Sequence, residues 1–209
     1  MQRSRATGAA RQSWRRRAAV LLFLSAVGTA LCPAAGPLAD MEEALEAAHS
    51  GDYRTAFAEW LPLAENGDAA ASYNLGQLYR TGRGVTRDYA RAAYWYRAAA
   101  ERLHAPAQHN LAILYERGLG VPIDYGEARH WYRRAAEQGH GPAQFNLAVM
   151  YSIGQGVTRD LVQAHMWYGL AASQGDESAA RNLAEIARRM SAEEIAQARA
   201  LARDWLERR

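Results

Sequence analysis

The sequence predicts an all-α fold, an α-solenoid of antiparallel helix pairs with about ten helices. Three observations predict it: a 36-residue pattern recurs without a gap, alanine supplies 45 of the 209 residues, and paired glycines divide each unit into two segments with helical apolar spacing. Alanine has the highest intrinsic helix propensity, and apolar residues three and four apart mark a helix that buries one face. Because such a period is typical of repeat proteins, the helix pairs should stack side by side.

Residues 1–39 match a secretory signal peptide. Arginines precede an uncharged apolar run at 18–31, and small residues lead to Ala39, near which we expect cleavage. The protein is therefore expected in the periplasm or outside the cell. The alternative is an uncleaved inner-membrane anchor, because residues 18–39 carry no charge and could span a bilayer.

Residues 40–68 are predicted to form a partial repeat. The stretch that begins with Asp52 reproduces the Asp-Tyr-x-x-Ala start of a second helix, 36 residues before Asp88. A short helix from about Met41 to His49 should precede it.

Three full repeats, 71–106, 107–142 and 143–178, occupy the range 69–178. Between its two helices each carries Gly-x-Gly-Val-x-x-Asp, in which the first glycine ends a helix, the second permits a tight turn, and the aspartate caps the next helix. The recurring tryptophans are predicted to pack in the core, with a stacking ladder for bases or sugars as the alternative. The framework residues are Gly82, Gly84, Asp88 and Trp95, then Gly118, Gly120, Asp124 and Trp131, then Gly154, Gly156, Asp160 and Trp167.

Residues 179–209 are predicted to form a second partial repeat and a capping helix. Ser191 and Glu194 have the spacing of a complete capping box at the start of that last helix. Terminal units with a polar outer side keep a stacked array soluble.

The charge of the chain is divided unevenly. Of 25 arginines six lie in the leader, so the remainder carries 19 arginines against 22 acidic residues and nucleic acid is not an expected partner. The absence of lysine excludes P-loop and Schiff-base chemistry, and one cysteine cannot form an internal disulfide. Because no acid/base pair, nucleophile elbow or metal-ligand cluster stands out, we expect no enzyme, no cofactor and no metal.

The candidate binding residues are those that vary while the framework repeats. Tyr73, His109 and Phe145 form an aromatic row on the first helices, flanked by Ile113 and Val149, which are apolar for solvent-facing positions. Concave faces of helical arrays are lined by first helices and bind peptides or partner helices. The alternative is that neighbouring helices bury these side chains. The same face also carries Gln77, Arg80, Glu116 and Ser152.

One asparagine recurs on every first helix. It could hold the backbone of a bound peptide, or it could make an interior hydrogen bond to a neighbouring turn, and both interpretations stay open. The column is Asn74, Asn110, Asn146 and Asn182. The six histidines show no clustering in the sequence, although His104 and His140 share one position of the repeat.

The repeat signature resembles that of the Sel-one-like repeat (SLR) family, relatives of the tetratricopeptide repeats. It reads Ala-x-x-Asn-Leu-(Gly/Ala)-x-x-Tyr-x-x-Gly-x-Gly-Val-x-x-Asp-x-x-x-Ala-x-x-Trp-Tyr-x-x-Ala-Ala and covers nearly all of residues 41–190. The resemblance implies a right-handed α-solenoid that scaffolds protein complexes without catalysis. A cysteine-rich branch of the family is linked to penicillin binding, but this chain has no cysteine after the leader.

We therefore expect an exported, non-catalytic and monomeric adaptor of the bacterial envelope that binds a protein or peptide on its concave face. Two alternatives remain open at this stage. One is a protein associated with peptidoglycan or another glycan, or one with a hydrolase-like activity. The other is a membrane-anchored assembly factor that keeps its leader.

Overall fold

The computed structural model describes residues 37–208, with side chains from residue 41 onward. This part of the chain consists of ten α-helices and contains no strand, which confirms the predicted fold class. The helices are α1 Pro37–Ser50, α2 Tyr53–Glu65, α3 Ala69–Thr81, α4 Tyr89–Glu101, α5 Ala105–Arg117, α6 Tyr125–Glu137, α7 Gly141–Ile153, α8 Leu161–Ser173, α9 Glu177–Ala187 and α10 Ala192–Glu207.

Packing follows the chain. Consecutive helices pack against each other from α1 through to α9. The repeats are the pairs α3–α4, α5–α6 and α7–α8. The last helix breaks this rule, because α10 packs mainly on α8 rather than on α9. The array therefore ends with α9 and α10 both lying on α8.

The loop motif works as the sequence predicts. Gly82 has the left-handed φ of 75° that ends α3, and its N–H donates to the carbonyl of Leu78 at 2.8 Å. The Asp124 carboxylate accepts the N–H of Glu127 at 2.9 Å and caps α6. Glu127 has the spacing to complete a capping box with Asp124, but its carboxylate instead accepts the indole N–H of Trp131 at 3.1 Å. At the start of α10 both halves are present.

The second glycine of each loop has a role that the sequence did not reveal. A β-carbon on Gly120 would lie 2.2 Å from the carbonyl carbon of Tyr89, and one on Gly156 would lie 2.5 Å from the β-carbon of Tyr125. The corresponding distance from Gly84 to the carbonyl carbon of Tyr53 is 2.6 Å. Each loop thus rests directly on the start of the second helix in the preceding unit.

The tryptophan column lies in the core, as predicted. Trp131 and Trp167 are each 4% exposed, and Trp95 is half-buried. The buried residues form two clusters, a small one on α1 to α3 around Trp60 and a large one from Tyr79 to α10. The core of α1 to α3 is therefore partly separate from the core of the rest of the array.

The amino-terminal boundary differs from the prediction. Helix α1 begins at Pro37 rather than near Met41, so its first turn includes Ala39, where we expected the leader to end. The rest of the predicted leader, residues 1–36, lies outside the described residues. Within residues 37–208 no helix combines the length and the apolar character needed to cross a membrane.

Replacing Gly120 with alanine should destabilise the array by more than about 2 kcal/mol, because a β-carbon meets both a positive φ and the backbone of Tyr89. The matched control is Gly169→Ala, at a helix-interior site with no atom within 4 Å of the added carbon. That control should raise stability by about 0.5–1 kcal/mol. Chemical denaturation followed by circular dichroism measures both, and equal midpoints for Gly120→Ala and the parent would contradict the proposed contact.

Candidate interaction face on the first helices

We define the candidate face as the predicted binding residues of α3, α5 and α7. The aromatic row of Tyr73, His109 and Phe145 lies along it, and all three side chains are half-buried. Ile113 and Val149 are half-buried as well. All of these apolar side chains pack against the large core cluster, so the expected solvent-exposed stripe is instead the outer edge of the core. The members are Tyr73, Gln77, His109, Ile113, Phe145 and Val149, with Asn74, Asn110 and Asn146 beside them.

Each ring of the row contacts the tyrosine of the second helix in its own unit. Phe145 meets Tyr168 edge-on with ring centroids 5.6 Å apart. The same position pairs His109 with Tyr132 at 5.7 Å. In the first unit Tyr73 lies 5.9 Å from Tyr96. Tyr73 also lies 4.7 Å from the ring of His104, and His109 lies 5.0 Å from the ring of His140. Neighbouring rings therefore hold the row in place and leave each of its rings half-exposed.

The hydroxyl groups of these tyrosines form hydrogen bonds with the polar side chains of the face. Tyr96 donates to the Gln77 carbonyl oxygen at 2.8 Å and accepts from the Arg80 guanidinium at 3.2 Å. Tyr132 donates to the Glu116 carboxylate at 2.8 Å. These polar positions vary in type because each satisfies a buried hydroxyl in a different way. Their variation is therefore not, by itself, a sign of partner specificity.

Burial raises the pKa values of the three tyrosines above the ordinary value of 10.0. It raises the pKa of Tyr96 to about 12, against the opposing effect of Arg80. For Tyr132 burial and the neighbouring Glu116 carboxylate both raise the pKa further above its ordinary value. Burial also raises the pKa of Tyr168. The hydroxyls consequently remain neutral hydrogen-bonding groups at physiological pH.

The asparagine column adopts the interior arrangement that the sequence left open. Asn182 donates to the Tyr168 hydroxyl at 3.3 Å, across the boundary between two units. Asn110 and Asn146 occupy the same positions relative to Tyr96 and Tyr132, and each acts to lower the pKa of that tyrosine against the larger effect of burial. At the start of the array Trp60 replaces the tyrosine that would face Asn74. The asparagines therefore tie each unit to the tyrosine of the unit before it.

The histidines come together more closely than the sequence suggested. His104 and His140 occupy the cap position before a first helix, where the flanking units have Asp68 and Asp176. The Nδ1 of His104 accepts the N–H of Ala107 at 3.2 Å, so that nitrogen carries no proton. The alignment with two aspartate caps was a signal in the sequence that could have revealed this role.

A stacked histidine pair links α5 to the cap of α7. The rings of His109 and His140 lie 5.0 Å apart at an interplanar angle of 21°. The Nε2 of His109 is 3.1 Å from the side-chain amide nitrogen of Asn146. Burial, reinforced by His140, lowers the pKa of His109 to about 4, and burial also lowers the pKa values of His104 and His140. Within residues 41–208 no group of three histidine, cysteine or acidic side chains is arranged to hold a metal.

Buried glutamines are a second inter-repeat device that the sequence analysis missed. Gln108 donates to the carbonyl of Ala100 in the preceding unit at 2.9 Å and accepts from Gln138 at 2.7 Å. In the next unit Gln144 accepts from Gln174 at 2.8 Å. These residues recur 36 apart, which was the signal for their structural role.

The fold and its joints define an α-solenoid built from one type of helix-pair unit. The Sel1 repeat family matches the sequence at residues 69–102, 105–140 and 141–176, which is half of the chain. The chain therefore belongs to the Sel1 repeat family, as its resemblance implied. A comparison with curated proteins found no match.

Two solved structures illustrate the similarity. A Sel1 repeat protein from Oxalobacter formigenes is 34% identical with a TM-score of 0.69, over 74% of this chain and 66% of that one. A protective antigen of uropathogenic Escherichia coli with an SLR fold is 32% identical with a TM-score of 0.72, over 82% of this chain. The present chain spans only 38% of that antigen.

Membership defines the general class of function. Sel1 repeat proteins are generally scaffolds for protein–protein interaction, and their solenoid is typically non-catalytic. The particular partner and place of action of this chain do not follow from membership.

Replacing His109 with phenylalanine, the residue of the third unit at this position, should flatten the pH dependence of stability. The folded-state pKa of His109 is about 4, below its ordinary 6.5, so the unfolded chain binds the proton more readily. The stabilisation is complete above pH 6.5 and is lost as the pH falls toward 4. Over that window the parent should lose up to about 3 kcal/mol more than the variant.

Urea denaturation at a series of pH values measures this difference. The matched control is His130→Phe, because His130 is exposed and lies outside the histidine stack. Its slope should equal that of the parent. A slope for His109→Phe that is as steep as the parent's would show that the stack does not hold His109 in its neutral form.

Proposed function

We propose that this protein is an exported adaptor of the bacterial envelope that binds a peptide or protein segment along the candidate face. The observation that carries the proposal is the aromatic row, whose half-exposed rings are held in place by neighbouring aromatic side chains. An anchored ring loses little conformational entropy on binding, which favours its use as a recognition surface. The pattern of the leader supports export.

The chemistry of the face favours an apolar partner segment with a few polar groups. Ile113, Phe145 and Val149 provide apolar edges at one end, and Gln77 beside Tyr73 provides amide and hydroxyl groups at the other. A partner helix or extended peptide could lay apolar side chains across the former and hydrogen-bond to the latter. No lysine or cysteine is available for a covalent attachment in residues 41–208.

Site-specific photocrosslinking in the producing cell tests the binding face. A photoreactive amino acid at Val149 or Ile113 should capture a discrete partner, because both side chains lie beside the aromatic row. The matched control is the same amino acid at Tyr94, which is 65% exposed on a second helix away from the face. A pattern of crosslinks that is the same at Tyr94 and Val149, or sedimentation of the protein with purified cell wall in their place, would contradict the proposed face.

Amino-terminal sequencing of the protein from the producing cell tests export separately. We expect the mature chain to begin near Asp40, because the small residues that end at Ala39 suit a signal peptidase. Cell fractionation should recover that species from the periplasm or the medium. A chain that keeps residues 18–39 and sediments with the inner membrane would instead support the anchored assembly factor.

A further inference from the structure

A recessed groove lies between α2 and the loop that joins α3 to α4. Its volume is about 1060 Å³, and Phe57, Tyr79 and Val85 contribute apolar wall. The rings of Phe57 and Tyr79 meet edge-to-face with centroids 5.8 Å apart, which fixes the shape of that wall. None of the residues of the candidate face lines this groove.

The groove is strongly basic. Three arginines from three elements line it, Arg54 on α2, Arg87 in the loop and Arg91 on α4. Its lining contains one carboxylate, Asp88, which lies 3.4 Å from the Nε of Arg91 and also caps α4. Among the lining residues, Arg54 and Arg87 therefore have no acidic partner of their own.

This concentration of arginine is not a feature of the repeat framework. The position of Arg54 is alanine and glycine in the following units, and that of Arg91 is glutamic acid and glutamine. Arg87 corresponds to Ile123 in the second unit and to Arg159 in the third. Because the same loop folds with neutral or acidic residues at these positions, the arginines of the first unit are not needed to form it.

Neighbouring rings hold the arginine heads in place. The guanidinium of Arg91 lies 5.5 Å from the centre of the Tyr79 ring, and that of Arg87 lies 5.7 Å from the Tyr89 ring. In the same loop Arg83 lies 5.3 Å from the Tyr53 ring. An aromatic neighbour orders a guanidinium, whose remaining N–H groups can bind a carboxylate. Arg91 uses part of its donor capacity on Asp88 and on the Tyr79 hydroxyl, which its Nη1 contacts at 3.4 Å.

We propose that this groove binds an acidic peptide segment, with carboxylates on Arg54, Arg87 and Arg91 and an apolar side chain against Phe57 and Tyr79. The planar guanidinium matches a carboxylate with two parallel hydrogen bonds. A recessed site with an aromatic wall suits a peptide side chain better than the flat surface of a membrane. This second interaction surface does not depend on the proposed role of the candidate face.

Fluorescence anisotropy with the fluorescein-labelled peptide Glu-Glu-Phe-Glu-Glu tests the proposal. The control peptide Gln-Gln-Phe-Gln-Gln has the same shape without the charge and should bind at least tenfold more weakly, by an estimate of about two- to fivefold per lost pair. Binding of the acidic peptide should also weaken steeply with added salt. The full chain and a chain from Pro37 onward, which contains the whole described array, are compared so that the arginine-rich leader is taken into account.

The variants borrow residues that the second unit already tolerates. Arg87→Ile should weaken the acidic peptide by about two- to fivefold, and Arg54→Ala with Arg87→Ile and Arg91→Glu by tenfold or more. The matched control is Arg159→Ile, the same exchange in the third unit, where the loop lines a different groove that contains Glu194. It should leave the affinity unchanged, and circular dichroism verifies that all variants are folded.

Three results would overturn the proposal. The first is equal affinity of the parent and the triple variant, and the second is equal binding of the acidic and the neutral peptide. The third is that vesicles containing phosphatidylglycerol bind in an Arg87-dependent way while the peptide does not, which would assign the groove to an anionic membrane surface.

Discussion

The rest of the array depends on the contacts of one residue, the buried tyrosine of each second helix. Its ring supports the aromatic residue of its own first helix, and its hydroxyl accepts from the asparagine of the next unit. Tyr96 and Tyr132 are fully buried, so any hydroxyl left without a partner would cost about 1–3 kcal/mol. One side chain thereby couples the packing within a unit, the joint between units and the shape of the candidate face.

The joints are not equivalent along the chain. Between full units a buried glutamine such as Gln108 binds the end of the preceding second helix, whereas the first unit has Ser72, whose hydroxyl binds Asp68 within its own helix. Trp60 replaces the buried tyrosine of the second helix there, and the small hydrophobic cluster spans this joint and gives way to the large one within the first full unit. The basic groove opens at the same place, so the least regular joint of the array has the most distinctive surface charge.

The sequence predicted the periodic features and failed where contacts depend on depth. Glycine ends of helices, aspartate caps and the tryptophan core follow from residue type and spacing, because backbone conformation and helix periodicity are local properties. The half-burial of Phe145 and the stacking of His109 on His140 depend on how far neighbouring helices project, which a period does not specify. The sequence favours a start of α1 four residues too late, because Asp40 is a capping-type residue directly before Met41, whereas Gly36 before Pro37 has no capping side chain.

The close approach of each loop glycine to the preceding unit has a consequence for how such a chain can change in length. One extra residue inside a helix would turn everything after it by about 100° and shift it by about 1.5 Å. Gly120 would then no longer meet Tyr89, where its missing β-carbon makes room. An insertion within a helix is therefore penalised at the joint that spans it, whereas duplication of a whole 36-residue unit preserves every joint. The gapless 36-residue period is consistent with duplication of whole units and with few insertions inside them.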